Sequence, residues 1–120
     1  MCVIMACEDA KPSEEMIRAA FLTNPDGGGA AWRESPELDG KKRPTVRWKK
    51  GINDVEEMVK LSETLRLPFV LHFRRQSVGP KTEEMCHPFP VAKGAPLDLE
   101  GATHGQVLFH NGTWHSWEQA

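Results

Sequence analysis

Phe69-Val70-Leu71-His72-Phe73-Arg74-Arg75, FVLHFRR, is the run on which the fold class turns. It is rich in aromatic and branched residues and apolar enough in sequence to be covered on both faces, which predicts a central strand. Pro68 just before it closes the preceding helical region. Within that region Val55, Met58, Val59 and Leu65 recur at helical spacing, and Asn53 with Glu56 three residues later has the form of a capping box. Met58 within it reads as core filling, not as part of a cofactor box.

Further upstream, TVRWKK over Thr45–Lys50 alternates as a strand, and Ala30–Arg33 begins another. Between them Glu34–Pro44 is polar and turn-rich, the tip of a hairpin. Ser13 after Pro12 is placed to cap a helix whose first turn holds Glu14 and Glu15. Met16, Ile17, Ala20 and Phe21 give that helix an apolar face, and Asn24-Pro25 should end it. Cys2–Ala6 is short and apolar, a first strand. Downstream, Pro80, Pro88, Pro90 and Pro96 predict an irregular segment, followed by a strand over Gln106–His110 and a tight turn at Asn111-Gly112. The order strand, helix, strand, strand, helix, strand, loop, strand predicts an α+β fold.

At 120 residues the chain should form a single domain, 1–120, with a real core. Fifteen Lys and Arg against 17 Asp and Glu leave a net charge of −2, so no bulk charge draws it to nucleic acid or to an anionic membrane. The basic run Lys41, Lys42, Arg43, Arg47, Lys49 and Lys50 has Trp48 beside it for stacking, but aromatic residues are not interleaved regularly. A solvated, exposed hairpin is the expected reading. No apolar run reaches the roughly twenty residues of a membrane span, and MCVIMACEDAKPSEE turns acidic too early for a signal peptide. A cytoplasmic location is expected, and three cysteines without framework spacing fit a reducing compartment. Cys7 and Cys86 read as ordinary buried thiols. Cys86, His87, His104, His110 and His115 supply zinc donors without the spacing that organises a site, so no metal is expected.

The sharpest chemical feature is Cys2. If Met1 is removed, this residue carries a thiol and a free α-amine, a nucleophile and a base on one residue. Gly27, Gly28 and Gly29 form a second feature, permitting backbone angles and close approaches that a side chain would prevent; from local sequence alone a plain flexible turn is the expected reading, with a functional loop the alternative. The P-loop spacing is absent.

Four short motifs follow Met1-Cys2 in order: Asn24, Asp26, Gly27 and Gly29 in a turn; His72, Arg74, Ser77 and Gly79 at a strand end; His87-Pro88-Phe89; and His110-Asn111-Gly112. In this the sequence resembles the class II glutamine amidotransferases, the N-terminal-nucleophile (Ntn) hydrolase type, over nearly the whole chain, and its compact layout resembles the stand-alone versions of bacteriophage genomes. The resemblance implies a four-layer αββα sandwich, here short at its C-terminal end. It also implies glutamine hydrolysis through a Cys2 thioester, releasing ammonia and glutamate. Asn111 and the Gly112 N–H would form the oxyanion hole, Arg74 and Ser77 would hold the substrate α-carboxylate, and Asp26, Gly27, Gly29 and His87 would be supporting loop residues. No cofactor is implied. The partners expected are a small-molecule amide, glutamine foremost, and either a separate ammonia-accepting enzyme or a second copy of the chain. Val3 and Arg75 depart from the family's usual residues, and its acidic partner for the glutamine α-amine has no counterpart. A catalytically inactive binding module of the same fold is the alternative, and a zinc-binding protein a more distant one. His72 and His110 read as structural.

Overall fold

The computed structural model describes residues 2–34, 45–75, 82–94 and 97–111. The elements are β1 (Val3–Cys7), α1 (Glu14–Thr23), β2 (Gly28–Glu34), β3 (Thr45–Ile52), α2 (Val55–Thr64), β4 (Phe69–Phe73), a 3-10 turn at Glu83–Met85, β5 (Phe89–Pro90), β6 (Glu100–Thr103) and β7 (Val107–Leu108).

Ser13 caps α1 as expected: its Oγ accepts from the Met16 N–H at 3.2 Å, and Glu14 and Glu15 occupy the first turn. Helix α2 begins one residue later than the capping box predicts. Asp54, not Asn53, is its cap, accepting from the Glu56 N–H at 3.0 Å. Asn53 is engaged elsewhere, donating from Nδ2 to Glu83 Oε1 at 2.8 Å and so tying the end of β3 to the 3-10 turn. Arg18 pairs with Glu14 of its own helix at 2.7 Å and joins the two helices by an ion pair of 2.7 Å to Glu56. These pairs are solvent-exposed and contribute little.

Five strands form one antiparallel sheet in the order β1-β4-β2-β3-β6. β4 lies inside it, as its composition predicted, with Leu71 opposite Met5 on one side and Ala30 on the other. Alternation along β4 sends Phe69, Leu71 and Phe73 to one face, where they pack in the core with Ile17, Ala20 and Phe21 of α1 and Met58 and Val59 of α2. Each of the larger of these side chains, when fully buried, contributes roughly 1.5–3 kcal/mol relative to exposure. The opposite face carries His72, Gly29 and Lys50 in register. Residues from 82–94 and 97–111 cover it, including the two-stranded ribbon of β5 and β7. Helices, sheet and ribbon make three layers of an α+β fold.

Two expectations are corrected here. The segment after Gly79-Pro80 is not wholly irregular: β6 joins the main sheet along β3, pairing Trp48 with Gly101, and β5 pairs with β7. Prolines confine β5 to two residues without preventing that short ribbon. The last strand is correspondingly short, Val107–Leu108 in place of Gln106–His110. The second correction concerns β3, which is an interior strand and not an exposed hairpin arm. Trp48 is 3 % exposed and Lys50 2 %, so neither is available at the surface. The Trp48 indole N–H donates to Asp98 O at 3.1 Å; Arg47 pairs with Glu34, and Lys49 with Glu57 at 2.8 Å. Lys41, Lys42 and Arg43 lie outside the described residues.

Among the described residues no helix is long and apolar enough to cross a membrane.

Candidate functional site

Cys2 precedes β1, and the pairing of Val3 with Phe73 brings it to the end of β4, beside Arg74 and Arg75. Its thiol points to Arg75 O at 3.8 Å. Its main-chain nitrogen donates to Asn111 Oδ1 at 3.0 Å, joining residues 109 apart in sequence. Because an N–H can only donate, this contact fixes the carboxamide with its oxygen toward Cys2 and leaves its NH₂ group as the donor.

The turn of Asn24–Gly29 is stitched to the end of β4 by a reciprocal pair of main-chain bonds. Arg74 N–H donates to Gly27 O at 2.9 Å, and Asp26 N–H donates to Arg74 O at 2.9 Å. Gly27 has φ +121°, a left-handed conformation that favours glycine, and a Cβ there would also meet Cys86 Sγ. Gly28 and Gly29 are buried at the start of β2, so the three glycines are a close-approach zone rather than a flexible turn.

Arg74 is 6 % exposed and donates from Nη1 to Thr82 O at 3.2 Å. Below it on the same face, the rings of His72 and His87 pack tilted at 41° with centroids 4.3 Å apart, and His72 Nε2 lies 3.3 Å from His110 O. Burial above all, assisted by neighbouring cationic groups such as Arg74, depresses both imidazoles, His72 to about 4 and His87 to about 3. Both rings are therefore neutral at pH 7. The Nδ1 atoms of both are buried without a hydrogen-bond partner.

All four motif segments thus meet, through described members, in one connected set. Asp26 bonds to Arg74, Gly29 abuts His87, His87 packs on His72, His72 reaches His110, and Asn111 meets Cys2. Ser77, Gly79 and Gly112 lie outside the described residues. Two further residues belong to the cluster, Lys50, expected in a solvated basic run, and Cys86, expected as an ordinary buried thiol. Lys50 donates from Nζ to Glu84 O at 2.9 Å and lies 4.4 Å from the Phe89 ring centroid; burial lowers its pKa. Cys86 is buried with its pKa raised by desolvation, as is that of Cys7, so both thiols stay protonated near neutrality. His72 and Arg74, already joined by the strand-end motif, also share one face by strand alternation.

A cleft of about 520 Å³ opens at the other end of this sheet face, lined by Ala6, Val70, Ala31, Val46, Gln106 and Phe109 among others. Cys2, Arg74 and Asn111 do not line it, so its size does not make it the place of the chemistry. No three His, Cys, Asp or Glu among the described residues are placed to hold a metal ion.

Compared with models of protein families, with curated proteins and with solved structures, the chain matches none.

Proposed function

We propose that this chain is an N-terminal-nucleophile glutaminase of the class II glutamine amidotransferase type. The observation that carries the reading is the 3.0 Å contact between the Cys2 nitrogen and Asn111 Oδ1, which sets the one residue able to be nucleophile and base against a side-chain amide donor. The layering of helices, sheet and ribbon is in keeping with part of an αββα sandwich. Once Met1 is cleaved, the Cys2 nitrogen is an amine titrating near pH 8 (roughly 7.7–8.0), close to an ordinary thiol at about 8.5, so proton exchange between them is nearly balanced.

The α-amine takes the thiol proton, and the thiolate attacks the side-chain amide carbon of glutamine. The oxyanion that forms is held by the Asn111 NH₂ and the Gly112 N–H. Collapse expels ammonia, which leaves with the proton held by the amine, and a thioester remains. Water, deprotonated by the same amine, then resolves it to glutamate and free thiol. Arg74, with Ser77, pairs with the substrate α-carboxylate.

Intact mass, labelling and turnover test this together. The expected results are a mature chain lacking Met1, modification of Cys2 by a glutamine-analogue electrophile, and ammonia release from glutamine that Cys2→Ala abolishes. Retention of Met1, or labelling spread evenly over Cys7 and Cys86, defeats the catalytic reading and leaves the binding module.

A further inference from the structure

We propose that His72 is the positioning residue for Asn111, acting through the carbonyl of His110. This rests on reading Cys2 and Asn111 as nucleophile and oxyanion donor. His72 is on an interior strand, paired to Ile4 on one side and Gly29 on the other, and is fully buried. Asn111 is exposed and follows a strand of only two residues. The bond from His72 to His110 O links the rigid sheet to the peptide that delivers Asn111 to Cys2.

The chemistry of the contact determines the tautomer. A carbonyl oxygen only accepts, so Nε2 carries the proton and Nδ1 is a bare lone pair. That Nδ1 is buried without a partner. An apolar side chain of similar size would fill the site without the orphan atom, so the one thing the imidazole adds is its Nε2–H bond. Its surroundings hold it in that form: His87 packs on it, Arg74 lies near it, and a second proton at Nδ1 would have no acceptor. His87 in turn is seated by Gly29, whose missing Cβ gives the His87 carbonyl room. His72 therefore touches neither substrate nor reacting atoms; it holds the group that does.

The test uses the full chain with His72→Leu, which removes the donor, and His72→Gln, which returns an N–H at comparable reach. His72→Leu should lower kcat for glutamine hydrolysis by about tenfold or more while KM changes by less than about twofold, since only a transition-state contact is lost. His72→Gln should recover most of the rate. In an Asn111→Ala background His72→Leu should cost less than about twofold further, because the residue it positions is gone. Equal losses in both backgrounds, or an unchanged kcat in folded His72→Leu, overturn the proposal. Should His72→Leu fail to fold, His72→Gln against the shorter His72→Asn decides: equal rates overturn it. The Asn111 carboxamide NMR resonances give a readout that needs no turnover. If wild type hydrolyses no glutamine, the proposed function fails, while a shift of those resonances in His72→Leu, restored in His72→Gln, still upholds the positioning role, and their invariance refutes it.

Discussion

Gly29 lies so close beneath the main chain of His87 that a Cβ at position 29 would run into the His87 carbonyl. The contact sets how near the segment 82–94 sits to the sheet, and hence where the His72–His87 pair forms. Gly29→Ala should destabilise the protein by about 1–3 kcal/mol, through overpacking against backbone that has little room to give. It should also slow Cys2 modification by a glutamine analogue under conditions where the variant is folded. Urea midpoints and labelling rates check both; a neutral effect on the two would mean that the segment moves freely off the sheet.

The acid side of the stability curve follows from the same pair. His72 and His87 titrate at about 4 and about 3 in the fold, chiefly because they are buried, whereas an unfolded His titrates near 6.5. Between those values the unfolded chain binds protons that the folded chain refuses. Stability is therefore fully present above about pH 6.5 and is lost as pH falls toward the folded values, by up to about 1.4 kcal/mol per pH unit for each such group. Arg74 acts in the same direction on both rings, as does Lys50 on His87, while the bond to the His110 carbonyl opposes it at His72. His72→Gln should flatten the wild-type slope by about one proton between roughly pH 6 and pH 4.5. Urea unfolding across that range, variant against wild type, measures it, and identical slopes would mean His72 is not held neutral.

Helices and the interior strand were legible because their signals are local. Ser13, the period of Ile17, Ala20 and Phe21, and the apolar run of β4 need no distant partner to be read. The edge strand β6 of the sheet and the β5 arm of the ribbon were not legible, because nothing local marks them. β6 is Glu100–Thr103, EGAT, with no apolar alternation, and it becomes a strand only where Gly101 lets β6 lie against the Trp48 ring. Lys50 misled for a related reason. Within a basic run a lysine reads as solvated, and only the fold supplies the Glu84 carbonyl and Phe89 ring that accept it inside. In the site, ordered motifs grouped Cys2 with Asn111, and His72 read as structural, packing or bonding to backbone; which carbonyl it meets, that of His110 38 residues away, has no local signal.

Trp48 should be a stability residue and not a nucleic-acid contact. It is buried, covers Gly101 and donates to Asp98 O at 3.1 Å. Trp48→Phe keeps most of the packing and leaves the Asp98 carbonyl short of its donor, a loss of about 1–3 kcal/mol. Trp48→Ala should cost about 3–5 kcal/mol by opening a cavity between β3 and β6. Thermal or urea unfolding reads both, and if Trp48→Ala proves as stable as wild type, β6 does not pack on this ring.

Asn111 does two separable things, and two substitutions divide them. Its oxygen accepts from the Cys2 nitrogen, and its NH₂ is the proposed oxyanion donor. Asn111→Ala removes both and should lower kcat by a factor of about 10²–10³, with KM changed far less, since the donor is engaged mainly in the transition state. Asn111→Asp keeps an acceptor for Cys2, so the N-terminal residue stays in place, yet it can donate nothing and sets a negative charge against the developing oxyanion. Its kcat should therefore fall at least as far as that of Asn111→Ala, although it is the closer isostere. Steady-state ammonia release by the two purified variants decides this. An Asn111→Asp enzyme markedly faster than Asn111→Ala would show that the acceptor role dominates and that Asn111 is not the oxyanion donor.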